Sequence, residues 1–149
     1  MKLETWLSVA CLGLSVMFVA LIISLFNFLI GPEGEGPQRV VDPGGLLIQQ
    51  VSISAAPSII LAAVTFVMSR GYGNKMAALL ILASGAIMIA GMAAASGMLP
   101  QIKDQYRVGG ITVVPYVFMA AGAGVLGIGG LLLSISSRRK SAGQLDDLR

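Results

Sequence analysis

Apolar residues run along this chain in four stretches, residues 6–30, 46–69, 76–99 and 115–137, each of 23 to 25 residues and none containing Asp, Glu, Lys, Arg or His. A helix rising about 1.5 Å per residue crosses the hydrocarbon core of a bilayer with roughly 20 residues. The pattern predicts an all-α membrane protein, a four-transmembrane-helix antiparallel bundle. A single integral membrane domain then accounts for residues 1–149, with residues 138–149 as a cytoplasmic tail. The first stretch exceeds the h-region of a secretory signal, and no A-x-A-like site follows it, so it reads as a retained span.

The segments between the stretches differ in length. Arg70-Gly71-Tyr72-Gly73-Asn74-Lys75 is short, which requires the second and third helices to lie side by side and antiparallel. The two segments at the other end carry hairpin signals. Asp42-Pro43-Gly44-Gly45 separates Gln38-Arg39-Val40-Val41 from Leu46-Leu47-Ile48-Gln49, and Gly109-Gly110 separates Gln105-Tyr106-Arg107-Val108 from Ile111-Thr112-Val113-Val114. Pro-Gly and Gly-Gly suit tight turns, so short β-hairpin-like outer loops are expected. A competing reading of the first segment starts the second helix near Leu46.

The spans themselves are not alike. The first is bulky, with Phe18, Leu21, Ile22, Leu25, Phe26, Phe28 and Leu29, as expected of a helix that meets lipid or a partner. Along the second, Gln50, Ser54, Ser58 and Thr65 form a polar seam interrupted by Pro57, which removes a backbone donor and should kink the helix, leaving the Ile53 carbonyl in need of another partner. Small residues crowd the third, among them Ala83, Ala90, Gly91 and Ala94. On the fourth, Ala120, Ala123, Gly127, Gly130 and Ser134 fall along one face. Small-xxx-small faces let helix backbones approach closely, and close packing drives association where lipid offers no hydrophobic advantage. These nine positions are the expected helix-packing interface. The small circumference of the third helix exceeds what one neighbour can use, which implies a further partner.

Composition sharpens this picture mainly by exclusion. The chain is 56% hydrophobic and 11% charged, with a net charge of +3. Lys2, Arg70, Lys75, Arg138, Arg139, Lys140 and Arg149 would lie on one side of the membrane against Arg39, Lys103 and Arg107 on the other, which places both termini in the cytoplasm of a cell membrane. The charge is a topology signal, and the cluster at 138–140 is suited to lipid headgroups rather than nucleic acid. With no His in the chain, His-ligated metal sites and Ser-His-Asp catalysis are excluded. Glu33, Glu35, Asp42 and Asp104 sit in polar loops, and Glu4 is too shallow to act as the central carboxylate of a small multidrug transporter. Cys11 reads as a small buried packing residue. No catalytic residue, cofactor, metal or soluble substrate is expected.

Three resemblances bear on function. Met88 and Met92, one turn apart, resemble the M-x-x-x-M thioether gate of Ctr-family copper transporters, which would suit Cu(I). Four spans, absent His and missing outer Met-rich motifs depart from that family. The four-span outline with inner termini looks like claudin and tetraspan architectures, without their W-G-L-W motif or outer cysteine pair. It is also similar to the small four-span subunit proposed beside archaeal ammonia monooxygenase, in span count, size and polarity. That resemblance implies an accessory subunit whose partners are other integral membrane subunits and lipids. The alternative expectation is a small transporter or channel using the second-helix seam.

Overall fold

A computed structural model describes residues 2–71 and 73–146, and four long helices account for most of them. The first spans Leu3–Ile30, the second Pro43–Ser69, the third Lys75–Met98 and the fourth Gly109–Asp146. All four are long and apolar enough to cross a membrane. The expected tail is helical as far as Asp146, while its last residues 147–149, and Tyr72 of the short turn, lie outside the described residues. The first helix packs on the second and third, the third packs most extensively on the fourth, and the fourth returns to the second, so the second and third helices, expected side by side from their short turn, instead stand diagonally and barely touch.

The burial pattern explains this arrangement. Glu4, Ser8, Cys11, Ser15, Phe18, Ile22, Leu25 and Leu29 are buried along the first helix, alternately four and three residues apart. Ile111, Pro115, Phe118, Gly122, Val125, Gly129, Leu132 and Ser136 repeat that spacing on the fourth. A 3.5-residue repeat is the seam of left-handed antiparallel bundles. Small residues at several seam positions hide the repeat from a reading based on hydrophobicity alone.

The core is graded along its axis. Toward the loop end, the end opposite the termini, Phe18, Ile22, Leu25, Phe26, Leu29, Met88, Met92, Leu99, Ile111 and Phe118 form one apolar cluster, with the Phe18 and Phe118 rings tilted at 4.7 Å between centroids. The bulky face expected to meet lipid or a partner is thus largely this bundle's own core. Met88 and Met92 are both fully buried in it and pack as apolar side chains. Toward the end that carries the termini, the core thins to Cys11, Ala62, Ala78, Ile81, Val125 and Leu132, accompanied by buried hydroxyls.

The hairpins are not formed, and among the described residues there is no strand. Both segments expected to provide returning strands are helical instead. Asp42 caps the second helix by accepting the Gly44 N–H at 3.1 Å, and Pro43 takes the first helical position, where its missing donor costs nothing. Residues 111–114 open the fourth helix because Ile111 and Pro115 continue its buried repeat. In or near lipid a helix satisfies its backbone within the segment, whereas a lone hairpin leaves two open edges. The loops at this end are tied down differently. Arg107 Nη2 donates to the carbonyls of Leu99 and Ile102 at 3.2 and 3.0 Å.

At the opposite end the short turn is clamped on two sides. Asn74 Oδ1 accepts the N–H groups of Met76 and Ala77, capping the third helix, while its Nδ2 donates to Thr5 Oγ1 at 2.9 Å. Gly73 has φ of +68°, and its carbonyl accepts from Ser136 Oγ at 3.0 Å. A Cβ at Gly73 would lie 3.1 Å from the Ser136 Cα, so both the backbone conformation and the close approach favour glycine.

Candidate functional site

The expected polar seam resolves into two kinds of residue. Before Pro57 the second helix widens into a π turn over Val51–Ala55, and the Ala56 N–H reaches the Val51 carbonyl five residues back. Such an insertion accommodates a proline that would otherwise collide with the preceding turn. Within the seam, Ser54 Oγ donates to the Gln50 carbonyl and Thr65 Oγ1 to the Leu61 carbonyl, each at 2.7 Å. Both hydroxyls therefore serve their own helix. Pro57 is half-buried, and Gln50 is half-buried with its Oε1 enclosed and without a hydrogen-bond partner.

Ser58 does something different. Its Oγ donates to the Cys11 carbonyl at 3.0 Å and shares a hydrogen bond with Ser15 Oγ at 2.7 Å. Ser15 Oγ also bonds Ser84 Oγ, and the Cys11 thiol lies 3.3 Å from the Ser58 carbonyl and 3.4 Å from Ser84 Oγ. All four residues are fully buried. The result is a knot of three hydroxyls and a thiol that joins the first, second and third helices midway along the bundle. In a low-dielectric core such a network fixes helix register, and each interhelical bond contributes about 0.6 to 1.7 kcal/mol. Cys11 is buried as expected, and it is also a polar member of the knot. The sequence clue was Ser8, Cys11 and Ser15 at heptad spacing, facing Ser58.

Below the knot, Ser8 Oγ donates to the Thr5 carbonyl at 2.8 Å. Two further oxygens there, Glu4 Oε2 and Ser69 Oγ, are buried without a hydrogen-bond partner. The buried face of the first helix thus changes from Phe18, whose ring packs on Phe118, to small polar groups within one turn.

The small residues fall on two opposite faces of the third and fourth helices. Their mutual contact runs through Gly85, Gly122 and Gly129. A Cβ at Gly85 would lie 2.6 Å from the Leu126 nitrogen, and one at Gly129 would lie 2.7 Å from the Leu82 nitrogen. Gly91, an expected packing residue, is buried against Val19 of the first helix. The other expected packing residues are not brought into this contact. Ala83, Ala90 and Ala94 on the third helix, and Ala120, Ala123, Gly127, Gly130 and Ser134 on the fourth, are all exposed on the outside of the bundle. Ala86, Ala93, Gly97 and Gly124 extend these outward faces. Both faces have helical spacing, so spacing alone could not choose between them. The buried heptad repeat selects the Gly122 and Gly129 side.

The outside of the bundle is therefore uneven. The first and second helices present Val9, Val16, Met17, Ile53, Ile60, Val64 and Val67, side chains suited to lipid contact. The adjoining third and fourth helices present mostly Ala and Gly along their middle, bordered by Met76, Leu79 and Leu131 toward the end that carries the termini and by Val113, Tyr116 and Val117 toward the loop end. Comparison of the chain with known protein families, with characterised proteins and with solved structures returned no match.

Proposed function

We propose that this chain is a non-catalytic accessory subunit that packs against and stabilises a larger integral membrane complex through the outward small-residue faces of its third and fourth helices. The observation that carries this reading is the surplus of close-packing surface. Gly85, Gly122 and Gly129 already serve the internal contact, yet a second set of small residues from Ala83 to Gly97 and from Ala120 to Ser134 remains uncovered. Lipid chains gain little from such a surface, whereas a transmembrane helix of another subunit can approach it closely. A copper membrane monooxygenase is one partner class, being the enzyme type beside which a similar four-span subunit is proposed. Basic-residue placement supports cytoplasmic termini, with the two longer loops outside the cell.

The transporter alternative has less to support it. Ser54 and Thr65 are bonded to their own helix, and Ser58 belongs to the knot. Leucine at Ala90 or Gly127 tests the accessory reading. Each variant should fold as the parent does, since both sites face outward and nothing lies within 4 Å of a Cβ at Gly127. Partner subunits should be lost from the affinity-purified chain. Undiminished recovery of partners with both variants would overturn the assignment of these faces.

A further inference from the structure

A cavity of about 550 Å³ lies at the loop end of the first helix, lined by Asn27, Phe28, Gly31, Pro32, Pro37, Gln38 and Arg39. Three observations bear on what it takes. First, its chemistry is mixed in an ordered way. Phe28, Pro32 and Pro37 supply apolar walls, Asn27 and Gln38 supply amides, and Arg39 is the one ionisable side chain in the lining. Among the described residues no hydrogen bond or ion pair engages the side chains of Asn27, Gln38 or Arg39, whereas Arg107 at the same end is bound to carbonyls and to Asp104. A guanidinium presents a planar fork of donors that matches two oxygens of a phosphate.

Second, the cavity lies at the end of a helix long and apolar enough to cross a membrane, the level at which hydrocarbon would give way to headgroups. Asn27 and Phe28 are exposed in the last turn of a membrane-spanning helix, with Phe28 at 46%. Its polar lining comes mainly from the loop beyond that helix and its apolar lining partly from the helix itself. Third, the wall is held in place. Gly31 and Gly36 adopt φ of +69° and +87°, the Gly36 N–H donates to the Ile30 carbonyl at 2.9 Å, and no Cβ would fit between Gly31 and the Gly36 carbonyl. The opening is thus built by the backbone, and its volume falls within the range of about 300 to 1,000 Å³ usual for small-molecule sites.

We propose that this cavity binds the phosphodiester headgroup of a membrane lipid. The phosphate oxygens take donors from Arg39, Asn27 and Gln38, and the glycerol and first acyl carbons lie against Phe28 and the prolines. The site is independent of the accessory role and would operate in the isolated chain.

The purified full-length chain is loaded with phosphatidylglycerol or with diacylglycerol of the same acyl chains, washed in mild detergent and weighed by native mass spectrometry. One phosphatidylglycerol per chain should be retained in preference to diacylglycerol. Arg39→Gln should lower retention about tenfold, the loss of a charge-assisted contact, and Asn27→Ala should lower it less. Lys75→Gln, which removes an exposed charge at the opposite end of the bundle, should leave it unchanged. Millimolar inorganic phosphate should not displace the lipid. Equal retention of the two lipids, an unaffected Arg39→Gln variant, or an equal fall with Lys75→Gln would overturn the proposal. Displacement by inorganic phosphate would reassign the cavity to a free anion and overturn it as a lipid site.

Discussion

Gly129 and Gly130 are neighbours on the fourth helix with opposite surroundings, and they make the sharpest test of how the bundle is packed. A Cβ at Gly129 would sit 2.7 Å from the Leu82 backbone nitrogen and 2.8 Å from its Cγ, whereas nothing lies within 4 Å of one at Gly130. Ordinary contact begins at 3.4 Å, so Gly129→Ala must move the third and fourth helices apart locally by several tenths of an ångström. The backbone nitrogen cannot yield without its helix. Radial gaps of about 0.5 to 1 Å forfeit a quarter to a half of each dispersion contact, and overpacking of this kind costs about 1 to 3 kcal/mol. Gly130→Ala meets no neighbour and gains helix propensity, so its expected effect lies between zero and about 1 kcal/mol of stabilisation. The fully buried Cys11 supplies the assay. Its reaction with a maleimide, followed as a function of SDS in a mild-detergent mixture, reports opening of the bundle. The Gly129→Ala midpoint should fall clearly below the parent, with Gly130→Ala at or above it. Equal midpoints, or the reverse order, would refute the assignment of the inner and outer faces.

Other predictions follow from the caps and the buried knot. In undenatured protein Cys11 should resist maleimide while reacting readily after denaturation, and rapid native labelling would contradict its burial. Ser15→Ala and Ser58→Ala should each lower stability by about 0.6 to 1.7 kcal/mol and show coupling in a double-mutant cycle, because their hydroxyls share a hydrogen bond. Strict additivity would argue against the knot. Asn74→Ala removes both a cap and a tie to Thr5, so it should cost more than Asp42→Ala, which removes a cap worth about 0.5 to 2 kcal/mol. Comparable unfolding midpoints for these two variants would contradict that ranking.

Much of the architecture was legible because the four spans are written in long runs without charge, and helix length follows directly from membrane thickness. The short turn between the second and third helices was equally clear from its glycines and flanking charges, but the side-by-side packing inferred from it was wrong, because the first and fourth helices come between the two. The hairpins were misread because Pro43-Gly44 and Gly109-Gly110 were weighed as tight turns, whereas both pairs open helices, where the continuing buried repeat and the demand for internal backbone satisfaction prevail. Bulk misled similarly on the first helix. In a membrane bundle large apolar residues serve either the core or lipid, and only the spacing of Phe18, Ile22, Leu25 and Leu29 in register with Ser8, Cys11 and Ser15 places them inside. The small faces were found as sets, but which set faces inward depends on neighbours that one sequence does not reveal. Cys11 was correctly expected to be buried, while its hydroxyl partners on two other helices were not foreseen. The cavity beside Arg39 gave no signal beyond a lone basic residue in a Gly-Pro loop, because the walls come from backbone conformations at Gly31 and Gly36.

The most direct test of the accessory role is gentle detergent extraction of native membranes, native-gel separation and mass spectrometry of whatever migrates with this chain. The account predicts comigration with a larger membrane enzyme at fixed stoichiometry. A chain that runs alone, or only with copies of itself, would contradict it.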